Sequence, residues 1–217
     1  IDVGQRFADR LKAKHVVHIG HLMAEELVLS PKIVHRVRGR LGRQYRSKQL
    51  MACDQIWAMS ESMKAYLSTS APGRDIRVWP SGVDATIAPQ AYEYPSQETR
   101  RSLRLDQDQP IAVYIGNLSR VRDLSFLLRS MKRVTMDFPK SLLLIVGSSP
   151  DPADSDHLRS VAKSLGLENN TLIHERVAEE ELPKYIRMAN CGVSPFKPTQ
   201  ILRHNSPLKL LEYMKTG

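Results

Sequence analysis

Two apolar runs that each end at a glycine constrain this chain more than any other feature. Residues 111–115 and 142–146 contain no charged residue, and Gly116 and Gly147 follow them directly. Between them, residues 123–136 place leucine, methionine and valine at helical spacing. Strands without polar alternation, separated by a helix, predict a parallel sheet covered on both faces. In such sheets a ligand crevice lies at the carboxyl ends of the strands, where both glycines fall.

The second half of the chain continues this alternation to its end. We predict a helix at 153–165, a strand at 171–174, a helix at 179–189, a strand at 191–195 and a final helix from Pro207. Residues 111–217 are therefore predicted to form one Rossmann-like domain, truncated at its C-terminus.

The first half shows shorter elements of the same kind. The pattern predicts helices at 4–13, 21–29, 31–52 and 60–67, and strands at 15–19, 54–59 and 76–79. Ser60 is the expected N-cap of the fourth helix, because its hydroxyl can accept from a backbone N–H of the first turn. Residues 85–110 carry three prolines and one short helical piece, which is typical of a linker. We expect an α/β fold with two Rossmann-like domains, 1–84 and 111–217, both incomplete, as in a fragment of a longer protein.

Several classes of protein are disfavoured by what the sequence lacks. It has no GxGxxG after a strand and no GxxxxGK[ST], which argues against a dinucleotide dehydrogenase and a P-loop enzyme. The two cysteines form no CxxC and the seven histidines no HxxxH or HExxH, so we predict no metal site and no cofactor. So few thiols fit a reducing, cytoplasmic location. No apolar run approaches the roughly 20 residues of a membrane span.

The positive charge of the chain is concentrated in its first part. The net charge is +9, and residues 1–80 contain fourteen Lys and Arg against seven Asp and Glu. Much of this excess falls on the predicted 31–52 helix, one face of which carries Lys32, Arg36, Arg40 and Arg43. Three interpretations stay open: a solvated basic face, contact with anionic lipid head groups, and contact with nucleic acid. We favour lipid and expect no nucleic acid, because the helix is amphipathic and lacks a series of aromatic residues for base stacking.

Three pieces of the second domain are candidates for a binding site. They are the loop after Gly116 with Arg120 and Arg122, the Arg176–Val177 pair after the third strand, and the start of the last helix with Ser206, Lys209 and Glu212. In a parallel sheet all three are expected on one rim. Cations and a helix start suit phosphates, and a carboxylate suits hydroxyl groups, so together they suit a nucleotide diphosphate. The alternative is a surface Lys–Glu pair beside solvated arginines.

The order and spacing of four segments resemble the GT-B-fold glycosyltransferases of glycosyltransferase family 4. The segments are residues 54–67 (DQIWAMSESMKAYL), 80–84 (PSGVD), 114–118 (YIGNL) with Arg122, and 206–214 (SPLKLLEYM). The resemblance covers nearly the whole chain and implies two Rossmann-like domains. Residues 1–84 would be the C-terminal part of the acceptor domain, 85–110 the linker and 111–217 the donor domain.

The resemblance also implies roles for individual residues. Arg122 takes the place of a basic residue that contacts the donor diphosphate, and Glu212 that of an acid that holds the ribose hydroxyls. Glu212 is the second acid of a family pair, and His204 stands eight positions earlier, where the family has the first acid. Asn117 stands where the family has an arginine after Gly116. The remaining donor-side positions are Leu208 and Lys209, whose backbone would face the diphosphate, Ser206 at the helix start, and Arg176 and Val177 beside the base.

The implied activity is transfer of a sugar from a nucleotide-diphosphate sugar to an acceptor hydroxyl, with retention at the anomeric carbon. The acceptor would be lipid-linked, a polysaccharide or a small glycoside, as in cell envelope polysaccharide biosynthesis. The expected location is the cytoplasm, with the inner face of the plasma membrane as the site if the 31–52 helix binds lipid. Two alternatives stay open: a GT-B nucleotide-sugar epimerase, and a basic non-catalytic module that binds anionic lipid or nucleic acid.

Overall fold

Two compact units of parallel strands and helices make up the protein. The structure, a computed structural model, describes residues 3–28, 32–83, 96–195, 199 and 202–216. The first unit comprises Ile1–Ser81 and Pro198–Ser206, and the second comprises Gly82–Lys197 and Pro207–Gly217. The α/β prediction with parallel sheets is confirmed.

The first unit is built around a three-stranded sheet. Its described elements are helices α1 (Val3–Leu11), α2 (Met23–Val28), α3 (Ile33–Ala52) and α4 (Glu61–Ser68), strands β1 (Val16–Ile19), β2 (Gln55–Ala58) and β3 (Ile76–Val78), and a 3-10 turn at Leu202–His204. The strand order is β1-β2-β3, and all pairs are parallel. In the central strand Ile56 and Ala58 are buried, and they pack with Leu50, Met63 and other apolar side chains of α3 and α4.

A hydroxyl fixes the start of α4 as the sequence predicts. The Ser60 hydroxyl oxygen accepts from the backbone N–H of Met63 at 3.0 Å. It thus satisfies one of the amide groups that a helix start leaves without a partner.

A buried carboxylate joins three helices of the first unit. Glu25 of α2 is 2% exposed and accepts from both terminal nitrogens of Arg46, at 2.7 and 2.8 Å, and from the Tyr66 hydroxyl at 2.6 Å. Arg43 lies 3.3 Å from the same carboxylate. Burial alone would raise the pKa of Glu25, but the hydrogen bonds from Arg46 and Tyr66 outweigh it and lower the pKa. Arg43, predicted for an exposed basic face, therefore also serves an ion pair inside the fold.

The second unit is a four-stranded parallel sheet with the order β6-β5-β4-β7. Its described strands are β4 (Ile111–Ile115), β5 (Leu142–Val146), β6 (Thr171–His174) and β7 (Cys191–Gly192). Its described helices are α5 (Ser96–Ser102), α6 (Ser125–Asp137), α7 (Pro152–Ser164), α8 (Leu182–Arg187) and α9 (Leu208–Thr216), with 3-10 turns at Arg120–Arg122, Glu168–Asn170 and Glu179–Glu181.

The two apolar strands β4 and β5 are buried on both faces, which explains their composition. Tyr114 and Ile145 belong to a core with α6 and α7, whereas Val113 and Leu144 belong to a second core with Met188 and Tyr213. Successive side chains of a strand point to opposite faces, so each strand supplies both cores.

Part of the predicted linker is helical and packed. Residues 84–95 lie outside the described residues, but α5 and the turn after it belong to the second unit. Arg100 of α5 is 8% exposed. Its guanidinium donates to three carbonyl oxygens, those of Asp106, Gln109 and Met188, at 3.0, 2.7 and 2.7 Å. These bonds hold residues 96–110 against the rest of the unit, so this stretch is not an extended connection.

Candidate functional site

A cavity of about 580 Å³ opens in the second unit, where the loops after β4, β5 and β6 meet the start of α9. Its lining residues are Ile115, Gly116, Asn117, Val146, Gly147, Ser148, Ser149, Pro150, Arg176, Val177, Glu179, Leu182, Leu208, Lys209 and Glu212. The three candidate pieces of the sequence thus contribute to one rim, although Arg122, His204 and Ser206 are not among the lining residues. The size suits a ligand of nucleotide-sugar dimensions.

Two glycines let the loops after β4 and β5 run against each other. The Gly116 N–H donates to the Val146 carbonyl at 3.0 Å, and the Leu118 N–H donates to the Ser148 carbonyl at 3.1 Å. A Cβ atom on Gly147 would overlap the carbonyl oxygen of Gly116. The floor of the cavity therefore requires glycine at position 147.

An acidic side chain in the first turn of α7 braces these loops. Asp154 is 7% exposed and accepts from the Ser149 hydroxyl at 2.6 Å and from Arg120 Nε at 3.1 Å. Ser149 lines the cavity, whereas Arg120 lies in the loop after β4. Arg120, considered above as a phosphate ligand, is thus engaged in an ion pair that connects the two loops.

Asn117 and Arg122 differ in their relation to the cavity. Asn117 lines the cavity, but its side-chain oxygen accepts from the Ser119 N–H at 2.6 Å and so stabilises its own loop. Arg122 lies in the 3-10 turn and is half-buried. It is near enough to Tyr114 to oppose the rise in the pKa of that hydroxyl that burial causes. Contact between Arg122 and a diphosphate stays a prediction.

Lys209 and Glu212 form an ion pair on the side of α9 that faces the cavity. Lys209 Nζ lies 2.7 Å from Glu212 Oε2 and 3.0 Å from Oε1, and the two side chains are 31% and 22% exposed. The sequence left two interpretations of these residues open, a surface Lys–Glu pair and part of a binding site, and this ion pair at the cavity is compatible with both. Because Arg176 and Glu179 also line the cavity, its charged groups balance in sign. Each member of the pair holds the other in place at the edge of the cavity.

Tyr213, which the sequence analysis did not single out, anchors α9 to the end of β4. Strand β7 ends at Gly192, so the next N–H of β4 on that side, that of Ile115, has no strand partner. The Tyr213 hydroxyl accepts from Ile115 N–H at 3.0 Å and donates to the Val193 carbonyl at 3.4 Å. A Cβ atom on Gly192 would lie 2.5 Å from the Tyr213 ring, so the aromatic face rests directly on this glycine. Burial raises the pKa of Tyr213 to about 12, so the hydroxyl stays protonated at neutral pH.

His204 and Ser206 group with the first unit. The His204 ring nitrogen Nδ1 lies 2.6 Å from the Ser62 hydroxyl, and its carbonyl accepts from the Ser60 hydroxyl at 2.8 Å. Its ring also packs 5.0 Å from that of Tyr66. Burial and the charge of Arg203 lower the pKa of His204 and favour the neutral imidazole. These contacts place His204 against α4. Because His204 does not line the cavity, its contact with a donor stays a prediction.

The part of the chain that the structure describes contains no group of three or more His, Cys, Asp or Glu side chains able to hold a metal ion. No described helix combines the length and the apolar character needed to cross a bilayer.

Comparison with known proteins gives a consistent family. The sequence model of "Glycosyl transferases group 1" matches residues 95–217, which include every residue that lines the cavity. Alpha-maltose-1-phosphate synthase of Mycolicibacterium smegmatis is 24% identical over 149 residues, 66% of this chain and 38% of that protein.

Solved structures share the fold at low identity. Sucrose-phosphate synthase from Thermosynechococcus elongatus is 22% identical with a TM-score of 0.66, over 86% of this chain and 47% of that chain. HepE of Anabaena, solved in complex with UDP-glucose, is 15% identical with a TM-score of 0.65, over 88% and 49% of the two chains. The chain thus spans about half the length or less of these proteins. The predicted GT-B fold is confirmed.

Proposed function

Because the chain belongs to the glycosyl transferases group 1 family, we propose that the protein transfers a sugar from a nucleotide-diphosphate sugar to an acceptor hydroxyl. The observation that carries this proposal is the cavity, since the family-matched segment builds it at the carboxyl ends of three parallel strands. We further propose retention of configuration at the anomeric carbon, as the resemblance implies.

Within the cavity, Glu212 is proposed to accept hydrogen bonds from the ribose hydroxyls. The Lys209 ammonium and the backbone N–H groups at the start of α9 would face the diphosphate, because a helix start favours anions. Arg122 is proposed as a second cation for the same group. Bond cleavage leaves negative charge on the diphosphate, and groups already held in place stabilise that charge most effectively.

The loop after β6 is proposed to border the base. Arg176 and Val177 line the cavity beside Ser148 and Ser149. HepE was solved with UDP and with UDP-glucose, which supports a UDP-sugar as the first donor to test. No metal or other cofactor is required in this scheme, because protein cations and the helix start supply the positive charge.

For the acceptor and the location we propose a lipid-linked, polysaccharide or small glycoside hydroxyl, used in the cytoplasm or at the inner face of the plasma membrane. A role in cell envelope polysaccharide synthesis is the biological context that fits these acceptors.

A thermal-shift titration with UDP-glucose and GDP-sugars tests donor binding. A ligand at about 100 times its Kd adds roughly 2.7 kcal/mol of stability, which is a shift of several degrees. Glu212→Ala and Arg122→Ala are expected to abolish the shift. Glu180→Ala, which removes an exposed carboxylate from outside the cavity lining, is expected to retain it.

The absence of a shift with every nucleotide sugar tested would sink this proposal. Product analysis then separates the enzyme classes. A glycoside plus nucleoside diphosphate supports transfer, whereas an altered sugar still bound to the nucleotide indicates an epimerase. If Glu212→Ala abolishes the thermal shift but Arg122→Ala does not, the proposed role of Arg122 is wrong and the rest of the donor-site proposal stands.

A further inference from the structure

Helix α3 presents an apolar stripe to solvent. Ile33, Val37, Leu41 and Tyr45 follow one another at four-residue spacing, and their exposed fractions are 69%, 48%, 60% and 46%. Residues four apart lie on one side of a helix, so these side chains form a continuous line about three turns long. Val34, which is 68% exposed, widens the stripe at its start.

Cations border this stripe on both sides. Arg36 and Arg40 follow Ile33 and Val37 by three positions and lie along one edge, whereas Arg38 lies along the other edge, three positions before Leu41. Lys32 and Lys48 extend the border near the two ends, and all five cations are exposed. No Asp or Glu occurs from Val28 to Ala52.

The opposite side of α3 is already occupied, so the stripe cannot turn inward. A Cβ atom on Gly39 would lie 2.6 Å from the Ala24 carbonyl oxygen, and one on Gly42 would lie 3.3 Å from the Ala24 Cβ. Helix α2 thus packs directly on the two glycines. Arg43 and Arg46 bind the buried Glu25 on the same side. The sequence of α3 therefore divides into a face that binds α2 and a face that no described residue of the first unit covers.

We propose that α3 is an interfacial helix that lies on an anionic phospholipid surface. The apolar stripe would enter the boundary between head groups and acyl chains, and the bordering arginines would contact the head-group phosphates. Charge complementarity favours this occupant, because anionic lipid attracts closely spaced cations. It disfavours a second copy of the chain, since a symmetric pair of α3 helices would bring the same cations together. Nucleic acid is disfavoured because a groove lined by phosphates would leave the apolar stripe without apolar contacts.

Vesicle flotation measures this interaction in the intact protein without donor or turnover, so its outcome is independent of the donor-site proposal. We expect binding to phosphatidylcholine vesicles that contain about one third phosphatidylglycerol, and much weaker binding to pure phosphatidylcholine. The triple variant Arg36→Gln, Arg38→Gln, Arg40→Gln is expected to lower the vesicle affinity about 100-fold, from roughly fivefold per cation. The double variant Val37→Ser, Leu41→Ser is expected to lower it by about tenfold or more.

A matched control removes the same charge from another helix. Arg129, Lys132 and Arg133 are exposed on α6, and their joint replacement by Gln is expected to leave the vesicle affinity within about threefold. Circular dichroism melting checks that each variant keeps its fold, which replacement of exposed side chains should preserve.

Several results would overturn the proposal. Equal losses from the α3 and α6 triple variants would indicate non-specific attraction. Equal binding to neutral and anionic vesicles would remove the charge argument. Binding to duplex DNA with no binding to vesicles would assign the surface to nucleic acid. Concentration-dependent self-association that the Val37→Ser, Leu41→Ser variant abolishes, without vesicle binding, would assign the stripe to a dimer.

Discussion

Removing the Tyr213 hydroxyl is the most informative small change in the second unit. Tyr213→Phe keeps the ring on Gly192 and therefore opens no cavity. It deletes the acceptor of the Ile115 N–H, a bond of 3.0 Å in a residue that is 4% exposed. Leaving a buried donor without a partner costs about 1–3 kcal/mol. The second bond of the hydroxyl, 3.4 Å to the Val193 carbonyl, is long and adds little.

We therefore expect Tyr213→Phe to destabilise the protein by about 2 kcal/mol, and amide hydrogen exchange at Ile115 to accelerate accordingly. Urea unfolding and exchange measured residue by residue are the two assays. Tyr185→Phe is the control, because the Tyr185 hydroxyl makes no hydrogen bond to another described residue. Its ring packs against the same core as Tyr213 and lies 5.2 Å from the ring of His174, and phenylalanine keeps both contacts. Its loss should stay within about 0.5 kcal/mol.

Tyr213→Phe also tests the candidate site indirectly, because Tyr213 holds α9 in position and is not itself proposed to contact the ligand. The side chains of Lys209 and Glu212 remain, so UDP-glucose should bind more weakly than to the wild type but more tightly than to Glu212→Ala. Unchanged stability, unchanged exchange at Ile115, or equal effects of the two Tyr→Phe changes would refute the reasoning that Tyr213 completes the end of β4.

Two further changes test other contacts. Gly147→Ala adds a methyl group that would overlap the Gly116 carbonyl oxygen, so we expect a loss of about 1–3 kcal/mol by thermal melting and weaker UDP-glucose binding. Gly82→Ala is the control and should change neither, because no described residue beyond its two chain neighbours lies within 4 Å of the added carbon. The pKa of Glu25 lies below its ordinary 4.5, so the carboxylate contributes stability at higher pH that is lost as the pH falls through the lowered value. In urea unfolding, Glu25→Gln should lack this dependence on acid. At neutral pH it should cost about 3–5 kcal/mol, because Arg46 loses its buried partner. A wild type whose stability does not fall in acid would contradict the second expectation.

Local patterns were sufficient for most of the fold. The apolar composition of β4 and β5 predicted their burial on both faces, and the structure places their alternate residues in two separate cores. Ser60 was recognised as an N-cap because the preference of serine for that position arises from the first turn alone. The extent of β7 was not predictable in this way. The run 191–195 predicts a strand of five residues, but the pairing of β7 with β4 ends at Gly192. The next N–H of β4 on that side, that of Ile115, donates to the Tyr213 hydroxyl instead.

The sequence by itself determined that parallel strands ending in glycine would carry a cavity edge near Lys209 and Glu212, because burial and helical spacing are local properties of the chain. Only the tertiary structure decided the partners of the polar groups. Asp154 binds Arg120 across 34 positions, and Tyr213 binds Ile115 across 98, separations that no spacing rule connects. The grouping of His204 with Ser60 and Ser62 is equally non-local. Such contacts depend on how the elements pack, and packing is fixed by the whole core and not by the pattern of any one segment.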